Sequence, residues 1–109
     1  MKTQNNVQLI GYLGIDPVIR KFPNGNVKAS LRLATDIYRK DDTGKVFRKV
    51  TWHNIVAWGT MAEKMATDFI KGSHVMVQGE LIHSTYEDLT GHTRYVSEIK
   101  AKTLMNLDR

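Results

Sequence analysis

Apolar and polar residues alternate along most of this chain, which predicts a protein built largely from β-strands. The clearest alternation covers residues 27–35, where Val27, Ala29, Leu31 and Leu33 are separated by polar or basic residues. Because neighbouring side chains of a strand point to opposite faces, this segment predicts an antiparallel strand with a core side and a basic side. Further strands are predicted at Val7–Leu13, 18–22, Val46–Trp58, 74–81 with a continuation to 86, and 94–104.

Turn-forming residues separate these segments. Residues 14–17, 23–26 and 88–91 combine Gly with Pro, Asn or Asp, the residue types that favour tight turns. The polar stretch 39–45 predicts a mobile hairpin loop.

One helical pattern interrupts the strands after Gly59. Thr60 followed by Glu63 matches a capping box, in which the hydroxyl accepts a hydrogen bond from the Glu63 N–H. Lys71 suits the negative end of the helix dipole, and Gly72 suits a left-handed C-terminal cap. Apolar residues at four-residue spacing predict an amphipathic helix of about three turns: Met61, Met65 and Phe69, with Ala62, Ala66 and Ile70 beside them.

The order of these elements favours a closed β-structure. A small antiparallel sheet must close or cover its edges, and a five-stranded OB-fold barrel closes them. The predicted fold is therefore mainly all-β, a five-stranded OB-fold barrel with one helix between strands three and four. A β-sandwich is the alternative, but it ordinarily needs about seven strands. We expect residues 1–109 to form a single domain of this kind.

Composition narrows the class of protein. The 109 residues are 41% hydrophobic and 25% charged, as in ordinary globular domains. No apolar run is long enough to cross a membrane, and the N-terminus lacks the apolar core of a signal peptide. Without cysteine there is no disulfide framework and no thiolate zinc site. We expect a cytoplasmic protein with no membrane contact.

Positive charge is concentrated in the first half of the chain. The net charge is +5, and residues 1–50 carry ten Lys or Arg against four Asp or Glu. Such a basic half suggests a polyanionic partner, either nucleic acid or a lipid surface, although a solvated basic surface has the same composition.

Catalytic signals are absent from the sequence. The four histidines have neither i, i+4 helical spacing nor an acidic partner in a metal-binding pattern, so we interpret them as polar surface or loop residues. No nucleophile elbow, P-loop or dinucleotide-binding motif occurs. We therefore expect a binding protein without cofactor or metal. A small nuclease that uses His53 is the enzymatic alternative.

Aromatic and basic residues are interleaved around the second and third strands. Single-stranded nucleic acid needs both, because cations track the phosphates while aromatic faces stack on unpaired bases. Trp52 and Trp58 have the same parity and would share one face of an unbroken strand. Polar neighbours favour exposure of Trp52, whereas Trp58 could be exposed or belong to the core. The candidate residues are Tyr38, Trp52 and Trp58 with Arg32, Arg39, Lys40, Arg48 and Lys49.

Three motifs, in matching order and spacing, give the chain a family resemblance. They are Leu-Gly-x-Asp-Pro with the Pro-Asn-Gly turn, Trp-His followed by the Gly-x-x-Ala-Glu helix, and the Lys-Gly-Ser…Gly-Glu-Leu strand. Over residues 5–106 the sequence resembles the bacterial single-stranded DNA-binding protein family. The resemblance implies an OB-fold that assembles as a homotetramer, a dimer of dimers. It also implies binding of single-stranded DNA without sequence specificity during replication, recombination and repair, in the cytoplasm at the nucleoid.

The resemblance also assigns residues. Trp52 matches the family's stacking tryptophan, and Trp58 stands where phenylalanine is usual. Tyr38 and Tyr86 stand where tryptophan is common, and His53 matches a histidine at the subunit interface. Basic positions of the family match Arg20, Arg39 and Lys71, and we add Lys21 from the basic strand 18–22.

Two further expectations concern the partners of the chain. The family usually continues into a tail with an acidic tip that recruits replication and repair enzymes, and this sequence ends at Asp108-Arg109. We therefore do not expect this chain to recruit such enzymes. The alternative function is that of a primosomal replication protein N-like module, which shares the fold but acts as a dimer in replication restart.

Overall fold

The computed structural model describes residues 3–108, which form six strands and one helix. No helix in this part of the chain is long and apolar enough to cross a membrane. The elements in chain order are β1 (Val7–Leu13), β2 (Val18–Lys21), β3 (Val27–Lys40), β4 (Val46–Trp58), α1 (Thr60–Asp68), β5 (His74–Glu87) and β6 (Thr93–Asn106).

Five of the strands close into a barrel. They are hydrogen-bonded in the order β1-β5-β6-β4-β3, and β1 returns to β3 through the pairs Tyr12–Ala34 and Leu13–Leu33. The short strand β2 lies outside this ring, paired only with β3. Gly11 permits the closure, because a Cβ at that position would overlap the carbonyl oxygen of Ala34. The predicted five-stranded OB-fold barrel with one helix between its third and fourth strands is confirmed.

The core fills the barrel with side chains from alternate positions of every closing strand. Leu31, Leu33 and Ile55 are at most 2% exposed, as the alternation in the sequence predicts. One end of the barrel is covered by α1 and the residue that follows it: Ala62, Met65 and Phe69 are buried against the same cluster. The apolar stripe of the helix thus provides the lid of the core.

The helix begins and ends differently from the prediction. Gly59 occupies the N-cap with φ of 64°, and its carbonyl accepts the hydrogen bond of the Glu63 N–H at 3.1 Å. Thr60 is the first helical residue and its side chain caps nothing, so the predicted capping box is wrong. The positive φ at Gly59 turns the chain from β4 directly into the helix. Gly59 therefore takes the N-cap position, and Thr60 is already helical.

The C-terminal end of α1 also comes earlier than predicted. The helix stops at Asp68 because Phe69 is extended and turns its ring into the core. Ile70 is 69% exposed, so the second apolar row of the helix is incomplete. Lys71 and Gly72 lie in the turn before β5 rather than in the last helical turn, and the Lys71 N–H donates to Asp16 Oδ1 at 2.7 Å.

Two long hairpins extend beyond the barrel. Pairing of β3 with β4 continues to Lys40 and Val46, five residues beyond the predicted strand end at residue 35. Hydrophobic alternation does not mark this extension, because residues 36–40 are exposed on both sides. The β5–β6 hairpin forms a second arm, and parallel pairing of Ile55 with Ile99 directs both arms from the same end of the barrel. We refer to these as the β3–β4 arm and the β5–β6 arm.

Candidate nucleic-acid interface

Both tryptophans lie on the outer face of the barrel. β4 is unbroken, and its register with β3 sets Trp52 opposite Ala34 and Trp58 opposite Lys28. Trp52 is 47% exposed and Trp58 is 42% exposed, so neither belongs to the core. The same register places the even-numbered residues of β2, β3 and β4 together on one side, which faces away from the barrel core. The odd-numbered residues share the other side, which faces the core only where β3 and β4 form part of the barrel. We call this even-numbered surface the outer face.

Trp52 is held by a glycine and a cation. A Cβ at Gly14 would overlap the indole ring, so the ring lies directly on the backbone of the β1–β2 turn. The guanidinium Cζ of Arg32 lies 5.0 Å from the centroid of the indole, within cation–π range. Trp52 therefore has one supported position on the surface while almost half of its area stays open to a ligand.

Trp58 is part of a second group of rings and cations at β2. The ring of Phe22 stacks on Trp58 with centroids 5.8 Å apart and 26° between the planes. Lys28 Nζ lies 5.5 Å from the Trp58 centroid, and Arg20 Cζ lies 4.9 Å from the Phe22 centroid. Arg20 was predicted from the sequence as a site residue, whereas Phe22 and Lys28 were not. Both residues flank the predicted 23–26 turn and have the same parity as Arg20 and Trp58, which could have indicated that they share one face.

A shallow cavity of about 220 Å³ separates the two tryptophans on the outer face. Val56 is buried at its floor, and the polar side chains around it come from β3, β4 and β6. They are Ser30, Arg32, Asn54 and Glu98.

The β3–β4 arm divides its candidate residues between two sides. Tyr38 pairs directly with Arg48 on the same side as Trp52, and Lys40 lies on that side as well. The Arg48 guanidinium forms an ion pair with Asp36 at 2.9 Å. Arg39 and Lys49 have odd numbers and point to the opposite side of the arm.

The β5–β6 arm brings Tyr86 to the outer face. Tyr86 pairs with Arg94, and the same side of this arm carries Glu98 at the cavity. Asp88 Oδ2 accepts a hydrogen bond of 2.7 Å from Arg94 Nε. Hydrogen bonds from Thr90 and Arg94 lower the pKa of Asp88 to about 2, so this carboxylate stays ionised beside Arg94.

The remaining basic candidates lie away from the tryptophans. Lys21 pairs with Val27 and points to the other side of β2 from Arg20. Lys71 lies in the turn before β5, next to the β1–β2 turn that supports Trp52. The structure thus brings Arg20, Arg32, Lys40 and Arg48 to the outer face, whereas Lys21, Arg39, Lys49 and Lys71 surround it.

His53 is separate from this surface. Its odd number places it beside Leu33, half-buried, with Nε2 3.0 Å from Thr35 Oγ1. Partial burial lowers the pKa of His53 below its ordinary value of 6.5, because desolvation penalises the charged imidazolium. Within residues 3–108, no group of three or more His, Asp or Glu side chains could hold a metal ion.

These features define a class of protein. Exposed aromatic rings flanked by cations on the outer face of an OB-fold barrel suit single-stranded nucleic acid, because they offer stacking surfaces and phosphate contacts together. Comparison with known sequences agrees with that class: the model of the single-strand binding protein family matches residues 4–107. The chain belongs to this family.

Individual relatives support the assignment. The chain is 37% identical over 110 aligned residues to Single-stranded DNA-binding protein 1 of Xylella fastidiosa (strain 9a5c), an alignment that covers all of this chain and 81% of the relative. It also resembles the solved structure of a Plasmodium falciparum SSB complex with ssDNA. The TM-score is 0.88 at 28% identity, over 99% of this chain and 98% of the other.

Membership settles three predictions of the sequence analysis. The resemblance to the bacterial single-stranded DNA-binding proteins is confirmed, and so is the binding of single-stranded DNA. Proteins of this family are not enzymes, so the nuclease alternative is wrong. Which residues contact the DNA stays a prediction.

Proposed function

We propose that this chain holds single-stranded DNA on the outer face, with bases stacked on Trp52 and Trp58 and phosphates held by the surrounding cations. In this role it protects exposed single strands during replication, recombination and repair, in the cytoplasm at the nucleoid. Residues 1–109 act as one binding domain. Stacking tolerates every base, since each base has a π-face, so this mode of binding does not require a defined sequence.

One observation carries the proposal. Two indole rings on one strand face are each about half exposed, and each has a cation over it: Arg32 at Trp52 and Lys28 at Trp58. A base that stacks on either ring displaces the cation over it, and the displaced side chain is then close to the phosphate of that base. Both contributions to binding therefore arise at the same place. A buried tryptophan could not offer this.

Tyr38 and Tyr86 extend the surface along the two arms. Tyr38 is 68% exposed and faces Arg48, while Tyr86 is 56% exposed and faces Arg94. Arg20, Arg32, Lys40 and Arg48 then contact phosphates on the outer face. Lys21, Arg39, Lys49 and Lys71 contact them where the DNA continues around the arms and the barrel.

The experiment that tests this function compares single strands with duplex. Fluorescently labelled oligonucleotides of one length are titrated with the protein as single strand and as duplex, at several salt concentrations. We expect marked preference for the single strand, because paired bases cannot reach the rings. Each phosphate neutralised contributes roughly −0.7 to the slope of log affinity against log salt for single strands. Equal affinity for the two forms would contradict the proposal.

We also propose that the chain assembles as a homotetramer. Outward-facing apolar residues of β1, β5 and β6 are grouped away from the tryptophans: Ile10 pairs with Met76, and Met76 with Met105. Ile10 is 53% exposed, Met105 is 51% exposed, and the nearby Tyr12 stacks on His74. Exposed apolar side chains grouped in this way favour cover by another subunit.

Sedimentation equilibrium tests the assembly. We expect a mass four times that of the chain, and dissociation in Ile10→Lys, because a buried lysine at the contact would be desolvated. Lys102→Ala on β6 is the control and should assemble normally. A monomer at all concentrations would contradict the proposal, and a stable dimer would favour the primosomal replication protein N-like alternative.

A further inference from the structure

The cavity between the tryptophans lies where a bound strand has no ring to stack on. Trp52 and Trp58 are six residues apart on one strand, which corresponds to about 20 Å. A DNA strand that stacks on both rings must pass at least one nucleotide over the cavity. The base of that nucleotide meets an apolar floor at Val56 and polar groups around it.

Glu98 is the unexpected member of this surface. Its carboxylate borders the cavity, half-buried, and accepts a hydrogen bond from Ser84 Oγ at 3.3 Å. Among residues 3–108, the ion pairs do not include Glu98. A carboxylate on a surface that binds a polyanion repels phosphates, so a base fits next to it better than the backbone does.

The chemistry of the carboxylate selects among bases. An ionised carboxylate only accepts hydrogen bonds, and the exocyclic amino groups of cytosine, adenine and guanine can donate to it. Among the pyrimidines, cytosine carries this amino group at its 4-position. Uracil and thymine present the O4 carbonyl there, and two acceptors repel one another. Arg32 and Asn54, which also line the cavity, can donate to the ring nitrogen N3 and to O2 of cytosine.

We propose that this cavity is a base-reading subsite in which Glu98 accepts a hydrogen bond from the exocyclic amino group of one base, a group that cytosine has and uracil lacks. The inference rests on the proposed path of the DNA across the outer face. It adds a preference at one position to a binding mode that is otherwise tolerant of sequence.

Homopolymers test the subsite without knowledge of the binding register, because every register places the same base over the cavity. The probes are oligo-dC and oligo-dU of equal length, titrated at slightly alkaline pH. Their bases differ in the group at the 4-position and in whether N3 carries a proton. We expect the wild-type protein to bind oligo-dC about tenfold more tightly, toward the lower end of what base-edge hydrogen bonds contribute. In Glu98→Gln the preference should largely disappear, because the side-chain amide can donate to O4.

Glu80→Gln is the matched control. Glu80 lies on the neighbouring strand β5 and does not line the cavity. Its Oε2 atom forms an ion pair with Lys102 Nζ at 3.6 Å. Its replacement removes the same charge, so affinity for both oligonucleotides should rise slightly and their ratio should stay that of the wild type.

The outcomes separate this inference from the proposed function. Equal binding of oligo-dC and oligo-dU by the wild-type protein, or an unchanged ratio in Glu98→Gln, would overturn the subsite alone. Failure to bind either oligonucleotide would overturn the proposed function and the subsite with it. The wild-type ratio needs no variant, so it tests the subsite even if Glu98→Gln does not fold.

Discussion

The indole ring of Trp52 rests on Gly14, and a Cβ at residue 14 would come within 2.6 Å of its Cη2 atom. Gly14 belongs to the turn between β1 and β2, whereas Trp52 lies in the middle of β4. Because residue 14 has no side chain, the Trp52 ring can lie directly against the backbone of the turn.

This contact predicts the effect of a substitution that removes no aromatic residue. In Gly14→Ala the new methyl group should displace the Trp52 ring and lower affinity for single-stranded DNA several-fold. Folding stability should change little, because the ring is on the surface and can move. The measurements are oligonucleotide titration and thermal unfolding. Retention of full affinity would mean that the position of the ring does not matter for binding.

Removal of the rings themselves should separate binding from stability. Trp52→Ala should reduce affinity by about 1–3 kcal/mol per stacked base, with nearly unchanged thermal stability. Trp58→Ala should reduce affinity less and should also lose some stability, because the ring stacks on Phe22. Binding of poly-dT should quench tryptophan fluorescence, and Trp52→Phe should remove much of that quench. Unfolding of Trp52→Ala would contradict its place on the binding surface.

Two neighbouring basic residues provide a matched pair. Arg20 lies on the outer face beside Phe22, while Lys21 points to the other side of β2. Arg20→Ala should weaken binding of a short oligonucleotide and make the salt slope shallower by about 0.7, as expected for one lost phosphate contact. Lys21→Ala removes the same charge and should have the smaller effect in the same titration. Equal losses of affinity in the two variants would indicate that binding depends on the overall positive charge of this region rather than on a local phosphate contact of Arg20.

His53 should make stability depend on pH. Its pKa in the folded state is below 6.5, so the unfolded chain binds the proton more readily. Stability is then complete above the unfolded pKa and declines as the pH falls through 6.5 toward the folded value. Urea unfolding between about pH 7.5 and pH 5.5 should show this decline, and His53→Asn should reduce it. The same decline in both proteins would place its origin in other groups.

Local signals in the sequence were sufficient for the barrel but not for the ends of its elements. Leu31 and Leu33 alternate with polar residues, so the core side of β3 could be predicted. The cap at Gly59 could not, since the capping-box pattern of Thr60 and Glu63 is local whereas the sharp entry into the helix is imposed by the end of β4. The extension of β3 to Lys40 was missed for a related reason: cross-strand hydrogen bonds sustain it without an apolar face.

The family, the order of the elements, the core and the shared parity of Trp52 and Trp58 could all be predicted, because each depends on residue type and spacing along one chain. The neighbours of the two indole rings, in contrast, could not be predicted, because they depend on how distant segments pack. Gly14, Phe22 and Glu98 come from three different segments, and they reach the outer face through the crossing of β1 onto β3 and the parallel pairing of β4 with β6. Strand register across long separations selects these neighbours, and no local pattern encodes it.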